Sequence, residues 1–116
     1  MISEGTIIAN SSAPGSAAIS VIRLSGEESI KIVDSFFKPK NNVKLIDAKS
    51  HTVNFGILDD GKKQIDEVLV SVFKSPKSYT GENLVEISCH GSNYIQEKIL
   101  KLFIENNVSL AKPGEF

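Results

Sequence analysis

The sequence predicts an α+β domain: a mixed, mostly antiparallel sheet with two helices on one face. Three observations point there. Apolar and polar residues alternate over residues 18–24, 51–58, 65–73 and 84–90, the period of a strand with one buried face. Asp59-Asp60-Gly61 lies between two of those runs and reads as a hairpin turn. Two stretches with helical spacing interrupt the strands, one after residue 25 and one after residue 91.

In chain order, Thr6-Ile7-Ile8-Ala9-Asn10 is a short apolar run, followed by a loop rich in Ser, Pro and Gly. Residues 18–24 form a strand with Ile19, Val21 and Arg23 on one face and Ser20, Ile22 and Leu24 on the other. Ser25-Gly26-Glu27-Glu28 has the form of a capping box, opening a helix that carries Ile30, Val33 and Phe37 and ends at Lys38-Pro39. Residues 41–49 read as a polar connector. The next strand places Val53, Phe55 and Ile57 on one face, and after the hairpin turn Val68, Val70 and Val72 are in phase. Residues 78–83 form a polar turn. Residues 84–90 form a strand with Leu84, Glu86, Ser88 and His90 on one face and Val85, Ile87 and Cys89 on the other. Ile95, Ile99, Leu102 and Phe103 make the stripe of the second helix, and residues 108–111 suggest a last short strand. With both helices on one face, the opposite face is either covered by a partner subunit or further domain, or polar and wet.

At 116 residues the chain makes one domain, with 41% hydrophobic and 23% charged residues, ordinary for a globular protein. Its 13 basic and 14 acidic residues leave a net charge of −1, which argues against phosphate-driven RNA binding by this segment alone. The one cysteine, Cys89, excludes an internal disulfide framework and a cysteine-based zinc cluster and fits a reducing compartment. No apolar run reaches the roughly 18 residues of a membrane span, and no basic flank precedes an apolar signal segment. A cytoplasmic location is expected.

Several residue types invite chemistry. The Pro14-Gly15 loop lacks the Lys and the following helix of a phosphate-cradling loop. Cys89 and His90 are adjacent on a strand and point to opposite faces, so they cannot form a thiolate–imidazole pair. Cys89 reads as a small core residue, and His90 as a hydrogen-bonding group at the corner between strand and helix. His51, His90 and Glu86 are too dispersed to make a persuasive metal set. An acid–base pair of Glu86 and His90 lacks any accompanying nucleophile or oxyanion site. Arg23 and Glu86 are the two charges set inside apolar strands. By pattern they are either a structural ion pair or a polar pair that binds a ligand.

The segments that carry most identity are Thr6-Ile7-Ile8-Ala9, Pro14-Gly15, Val21-Ile22-Arg23-Leu24-Ser25-Gly26 and Asp66-Glu67. They continue with the run from Phe73 to Glu82 containing Ser78-Tyr79-Thr80-Gly81-Glu82, then Val85-Glu86-Ile87, His90-Gly91 and Pro113-Gly114-Glu115-Phe116. In this order and spacing the whole chain resembles the N-terminal domain of the MnmE (TrmE) family of tRNA modification GTPases. It departs from the family's pattern at Ser16-Ala17-Ala18, where a Gly-rich loop with an Arg is common, and at Ser92, where a second Gly often follows the His.

The resemblance implies a fold similar to the folate-binding domains of one-carbon enzymes, with residues 1–116 as the folate-binding and dimerisation domain. It implies a homodimer that binds 5-formyltetrahydrofolate or a related tetrahydrofolate near its interface. With the partner MnmG (GidA), such a dimer modifies C5 of the wobble uridine of tRNA, using folate, FAD and NADH. Potassium and magnesium serve with GTP in a GTPase domain that follows, so this segment alone is not expected to hydrolyse GTP or modify tRNA. The family's folate-contacting positions carry over to Arg23 and Glu86, and a further contacting Lys falls beyond Phe116. A carboxylate at Glu86 suits the adjacent N–H and amino groups of a pterin edge. Arg23 suits the pterin carbonyl, the formyl oxygen or the anionic tail, and Tyr79 either stacks on a ring or packs locally. The alternative is a purely structural dimerisation platform in which Arg23 and Glu86 serve only each other.

Overall fold

Alternation builds one sheet. In the computed structural model, which describes residues 5–11, 18–76, 81–112 and 115–116, the strands are β1 (Ile7–Asn10), β2 (Ile19–Ser25), β3 (Phe37–Pro39), β4 (Thr52–Asp59), β5 (Gln64–Phe73), β6 (Leu84–His90) and β7 (Ser109–Leu110). Helix α1 (Ser29–Asp34) follows β2, and α2 (Asn93–Ile104) follows β6. The sheet order is β3-β4-β5-β6-β2-β1-β7. Every pairing is antiparallel except that of β1 with β7, which is parallel.

Both helices lie on one face of this sheet, where a single core joins Ile8, Ile22, Leu24, Leu58, Val68, Val70, Val72, Val85 and Ile87 to Ile30, Val33, Ile99, Leu102 and Phe103. Helix α2 matches its sequence pattern: the Ser92 side chain caps it by accepting from the Ile95 N–H, and Ile99, Leu102 and Phe103 are buried. Each of those side chains contributes about 2 kcal/mol through removal from water. The predicted α+β class is the observed one.

The first helix is where the sequence pattern misleads. Ser25 does not cap it. Ser25 ends β2, and its hydroxyl donates to Glu82 Oε1 at 2.9 Å. Glu28 occupies the cap position without a side-chain bond. The helix stops at Asp34, and Phe37, which fits the helical stripe, instead begins the edge strand β3. A six-residue helix is too short to persist on its own. Burial of Ile30 and Val33 holds it, together with Asp34 Oδ1, which accepts from the Leu45 N–H at 2.8 Å. The polar connector in turn contains a 3₁₀ turn, Leu45–Asp47, that buries Leu45 and places Ala48 in the core.

Two glycines mark close approaches. Gly26 has φ +152°, and a Cβ there would sit 2.6 Å from Thr6 Oγ1 and 2.7 Å from Thr6 Cα. Gly26→Ala is therefore expected to cost about 2 kcal/mol of stability, read as a lower urea midpoint at unchanged slope. At Gly56 a Cβ would meet Lys38 O at 2.4 Å and the Phe37 ring at 2.6 Å, so the Phe37 ring fills the side-chain space that β4 leaves open.

The β4 alternation has the opposite sense from a core strand. Asn54, Gly56 and Leu58 face the helices, because they pair with Val70, Val68 and Asp66 of β5. Buried Asn54 donates to Val70 O at 3.1 Å. Val53 and Phe55 are 63% and 47% exposed on the outer face, beside Leu69 at 44%. Among the described residues that face is thus not simply polar; it carries an apolar strip.

Candidate functional site

Strand parity and register place the two charges of the sheet opposite each other. Arg23 and Glu86 are direct partners in the β2–β6 ladder, with Ala9 beside Arg23 on β1 and Ser71 beside Glu86 on β5. The row Ala9, Arg23, Glu86, Ser71, Val53 crosses the sheet on its outer face. Behind Glu86, Val85 and Ile87 are fully buried, which fixes the strand that carries it. Directly opposed side chains in an antiparallel pair lie within reach of each other, and opposite charges there attract.

The pair is closed. Arg23 Nε donates to Glu86 Oε2 at 2.9 Å, and a terminal guanidinium nitrogen donates to the same oxygen at 2.6 Å. Their side chains are 29% and 25% exposed, so the pair is accessible and is weak as a stabilising element. Arg23 also lines a cleft of about 380 Å³ with Ala9, Ser11, Ala111, Lys112 and Phe116, at the end of the chain that follows β7. Glu115 also lines this cleft, its carboxylate accepting from the Lys112 N–H at 2.7 Å, so a guanidinium, a lysine, a carboxylate and an aromatic ring border it beside the Arg23–Glu86 pair.

His90 is held by a partner that sequence reasoning missed. Its backbone N–H donates to Asp66 Oδ2 at 2.8 Å, and its Nδ1 lies 2.7 Å from Asp66 Oδ1. The corner role expected of His90 is real, and Asp66 at the start of β5 provides it; an acidic residue heading a strand was the available signal. His51 is engaged elsewhere, with Nδ1 on Ser50 Oγ at 2.9 Å and its ring edge-on to Phe73. Among the described residues no group of three or more His, Cys, Asp or Glu is arranged to hold a metal ion.

Asn83 is the second residue that sequence reasoning missed. Its side chain accepts from the Ser75 N–H at 2.8 Å and donates to Glu27 O at 3.0 Å, while its carbonyl accepts from the Gly26 N–H and the Ser29 hydroxyl. These bonds fasten the end of the turn to the corner between β2 and α1, and so fix where β6 begins. Pro14, Tyr79 and Pro113 lie outside the described residues.

Cys89 is 3% exposed on the core side of β6. Burial, aided by the nearby Asp66 carboxylate, pushes its thiol up to about 11. The folded state therefore holds this proton more tightly than the unfolded chain, and the associated stability is present at neutral pH and lost as pH rises toward 11. In native protein at pH 7.5, Cys89 is expected to react with a thiol reagent only at the rate of unfolding.

The family described as GTP-binding protein TrmE N-terminus matches residues 6–116, a span that includes Arg23, Asp66, Glu86 and His90. The chain belongs to the TrmE N-terminal family. A tRNA modification GTPase MnmE of Flavobacterium johnsoniae is 48% identical over 116 residues, all of this chain and 25% of that protein. Those of Christiangramia forsetii and Thermoanaerobacter pseudethanolicus are 48% and 44% identical over 96% of this chain. The chain spans about a quarter of the length of the curated relatives it matches. In this TrmE N-terminal domain no helix among the described residues is long and apolar enough to cross a membrane.

Proposed function

We propose that this chain is the folate-binding and dimerisation domain of a cytoplasmic GTPase that modifies C5 of the wobble uridine of tRNA. The observation that carries the reading is the Arg23–Glu86 pair, partly exposed at the centre of the outer sheet face and bordered by the cleft that Arg23 lines. Glu86 accepts the adjacent N–H and amino groups of a pterin ring, a bidentate and charge-assisted contact. The two bonds between Arg23 and Glu86 both fall on Glu86 Oε2, and the guanidinium suits the pterin carbonyl, the formyl oxygen or the anionic tail.

The name of the relatives, tRNA modification GTPase, supports the wider setting. In that setting the domain dimerises, and the apolar strip formed by Val53, Phe55 and Leu69 supplies a surface that a second subunit can bury. MnmG is the partner protein, bringing FAD and NADH, and GTP with potassium and magnesium acts in a separate domain. The ligand of the present domain is a tetrahydrofolate, 5-formyltetrahydrofolate being the form used for the test.

A second reading, a purely structural dimerisation platform, is favoured by one specific observation: Arg23 and Glu86 already satisfy each other at 2.6 Å. Calorimetric titration of the full-length protein with 5-formyltetrahydrofolate separates the two. The folate reading predicts saturable binding with one site per subunit. Absence of binding heat, together with no displacement of a fluorescent folate, leaves the structural platform.

A further inference from the structure

The tip of the β4–β5 hairpin and the first turns of α2 form a surface that the folate site does not use. The hairpin packs beside α2, so that Asp60, Lys63 and Gln64 share a cleft with Tyr94 and Lys98. An adjoining cleft is lined by Lys38, Lys62 and Lys63 together with Asp59. Four lysines are thus gathered against two aspartates, in a chain whose net charge is −1.

Both aspartates are turned inward. Asp59 Oδ1 accepts from the Gly61 N–H at 2.9 Å, and its Oδ2 holds Lys38 at 2.9 Å. Asp60 Oδ1 accepts from the N–H groups of Lys62 and Lys63 at 2.8 Å each, bonds that keep its carboxyl below the usual range. Both carboxylates are thus engaged within the turn or by Lys38, while Lys62 and Lys63 stand exposed at the tip.

Tyr94 gives the patch its second property. It is 66% exposed on the first turn of α2, and Lys98, one turn later, places its ammonium 5.5 Å from the ring centroid. A large aromatic ring kept in solvent among lysines offers a stacking platform next to cationic groups, the combination that binds an unpaired base together with its phosphates. A membrane surface would call for several apolar side chains beside the lysines, and the two clefts add only Ile57 and Ile65.

We propose that this hairpin-tip and α2 surface is an RNA contact: Lys62, Lys63 and Lys98 engage backbone phosphates, and Tyr94 stacks on an exposed base. The inference rests on the reading of the whole protein as one that acts on tRNA, and it assigns this domain a direct share of that contact. The patch is small, so it adds to other contacts rather than holding RNA by itself, in keeping with the near-neutral charge of the chain.

The test uses the full-length protein, an end-labelled unmodified tRNA transcript, and fluorescence anisotropy across a salt series. Replacing Lys62, Lys63 and Lys98 with glutamine is expected to weaken binding about tenfold at moderate salt and to reduce the slope of log affinity against log salt by about 2 to 3. Tyr94→Ala is expected to weaken it about fivefold to tenfold with the slope unchanged, and Tyr94→Phe to restore it. Unchanged affinity and slope in the triple variant would overturn the proposal, as would wild-type protein that does not retain tRNA. Loss of binding to anionic phosphatidylglycerol vesicles with RNA binding intact would also overturn it, in favour of a membrane surface. Folate titration of the same variants reads the site at Arg23 and Glu86 independently, so failure at the hairpin tip is distinguished from failure of the folate reading.

Discussion

Glu86→Gln is expected to lower the affinity for 5-formyltetrahydrofolate about a hundredfold while changing unfolding free energy by less than about 1 kcal/mol. The two halves of this expectation have separate causes. Glutamine keeps the volume and one acceptor oxygen but presents an NH₂ group where the ligand also donates. One charge-assisted pair of bonds is lost and a donor faces a donor beneath the bound ligand, together worth about 3 kcal/mol, or two powers of ten in affinity. The folded state loses less, because the Arg23–Glu86 pair is about a quarter exposed on each side and remains screened by water. Isothermal calorimetry with parallel urea unfolding reads both quantities. A variant that loses stability and has no affinity to lose matches the structural platform instead.

Phe103→Ala is expected to cost about 4 kcal/mol of stability. Phe103 is fully buried between α2 and the sheet, its ring meets Phe36 edge-on at 5.9 Å, and its carbonyl accepts from the Val108 N–H as the chain turns toward β7. Truncation leaves a cavity in the core between α2 and the sheet, beside Phe36. A loss of that size is a large part of the 5–15 kcal/mol that ordinarily separates folded from unfolded domains. Chemical denaturation followed by circular dichroism measures it, and a loss below about 1 kcal/mol would contradict the central position assigned to this ring.

The parts of the fold that were legible are those where one local rule governs. The period of two gave β2, β5 and β6, and the Asp59-Asp60-Gly61 turn gave the hairpin, with Gly61 at φ +94°. The period of 3.6 gave α2 and its buried stripe. The parts that were not legible depend on partners distant in sequence. Ser25 had the composition of a helix cap, but Glu82, two residues before its ladder partner Leu84 and 57 positions on in the sequence, accepts from its hydroxyl. Phe37 continued the helical stripe and was claimed instead by β4, whose Gly56 leaves room for its ring. Leu45 and Ala48 were hidden by polar neighbours in the connector.

Alternation also fixes which residues share a face, not which face is covered. Val53 and Phe55 could only be placed outward once the register with β5 was known. For the site, the sequence singled out Arg23 and Glu86 as unusual charges within strands, and the ladder brings them together as direct partners. It could not show that they would close on each other, nor that Asp66 would hold His90 by both backbone and ring.

Thermal unfolding of the full-length protein and of its Glu86→Gln variant, each with and without saturating 5-formyltetrahydrofolate, tests the ligand-binding role of the pair most directly. A ligand that binds only the folded state at a hundred times its dissociation constant stabilises it by about 2.7 kcal/mol. Wild-type protein is expected to melt several degrees higher with folate, and the variant near the unliganded wild type whether or not folate is present. An equal folate-induced rise in both proteins, or none in either, would contradict that role.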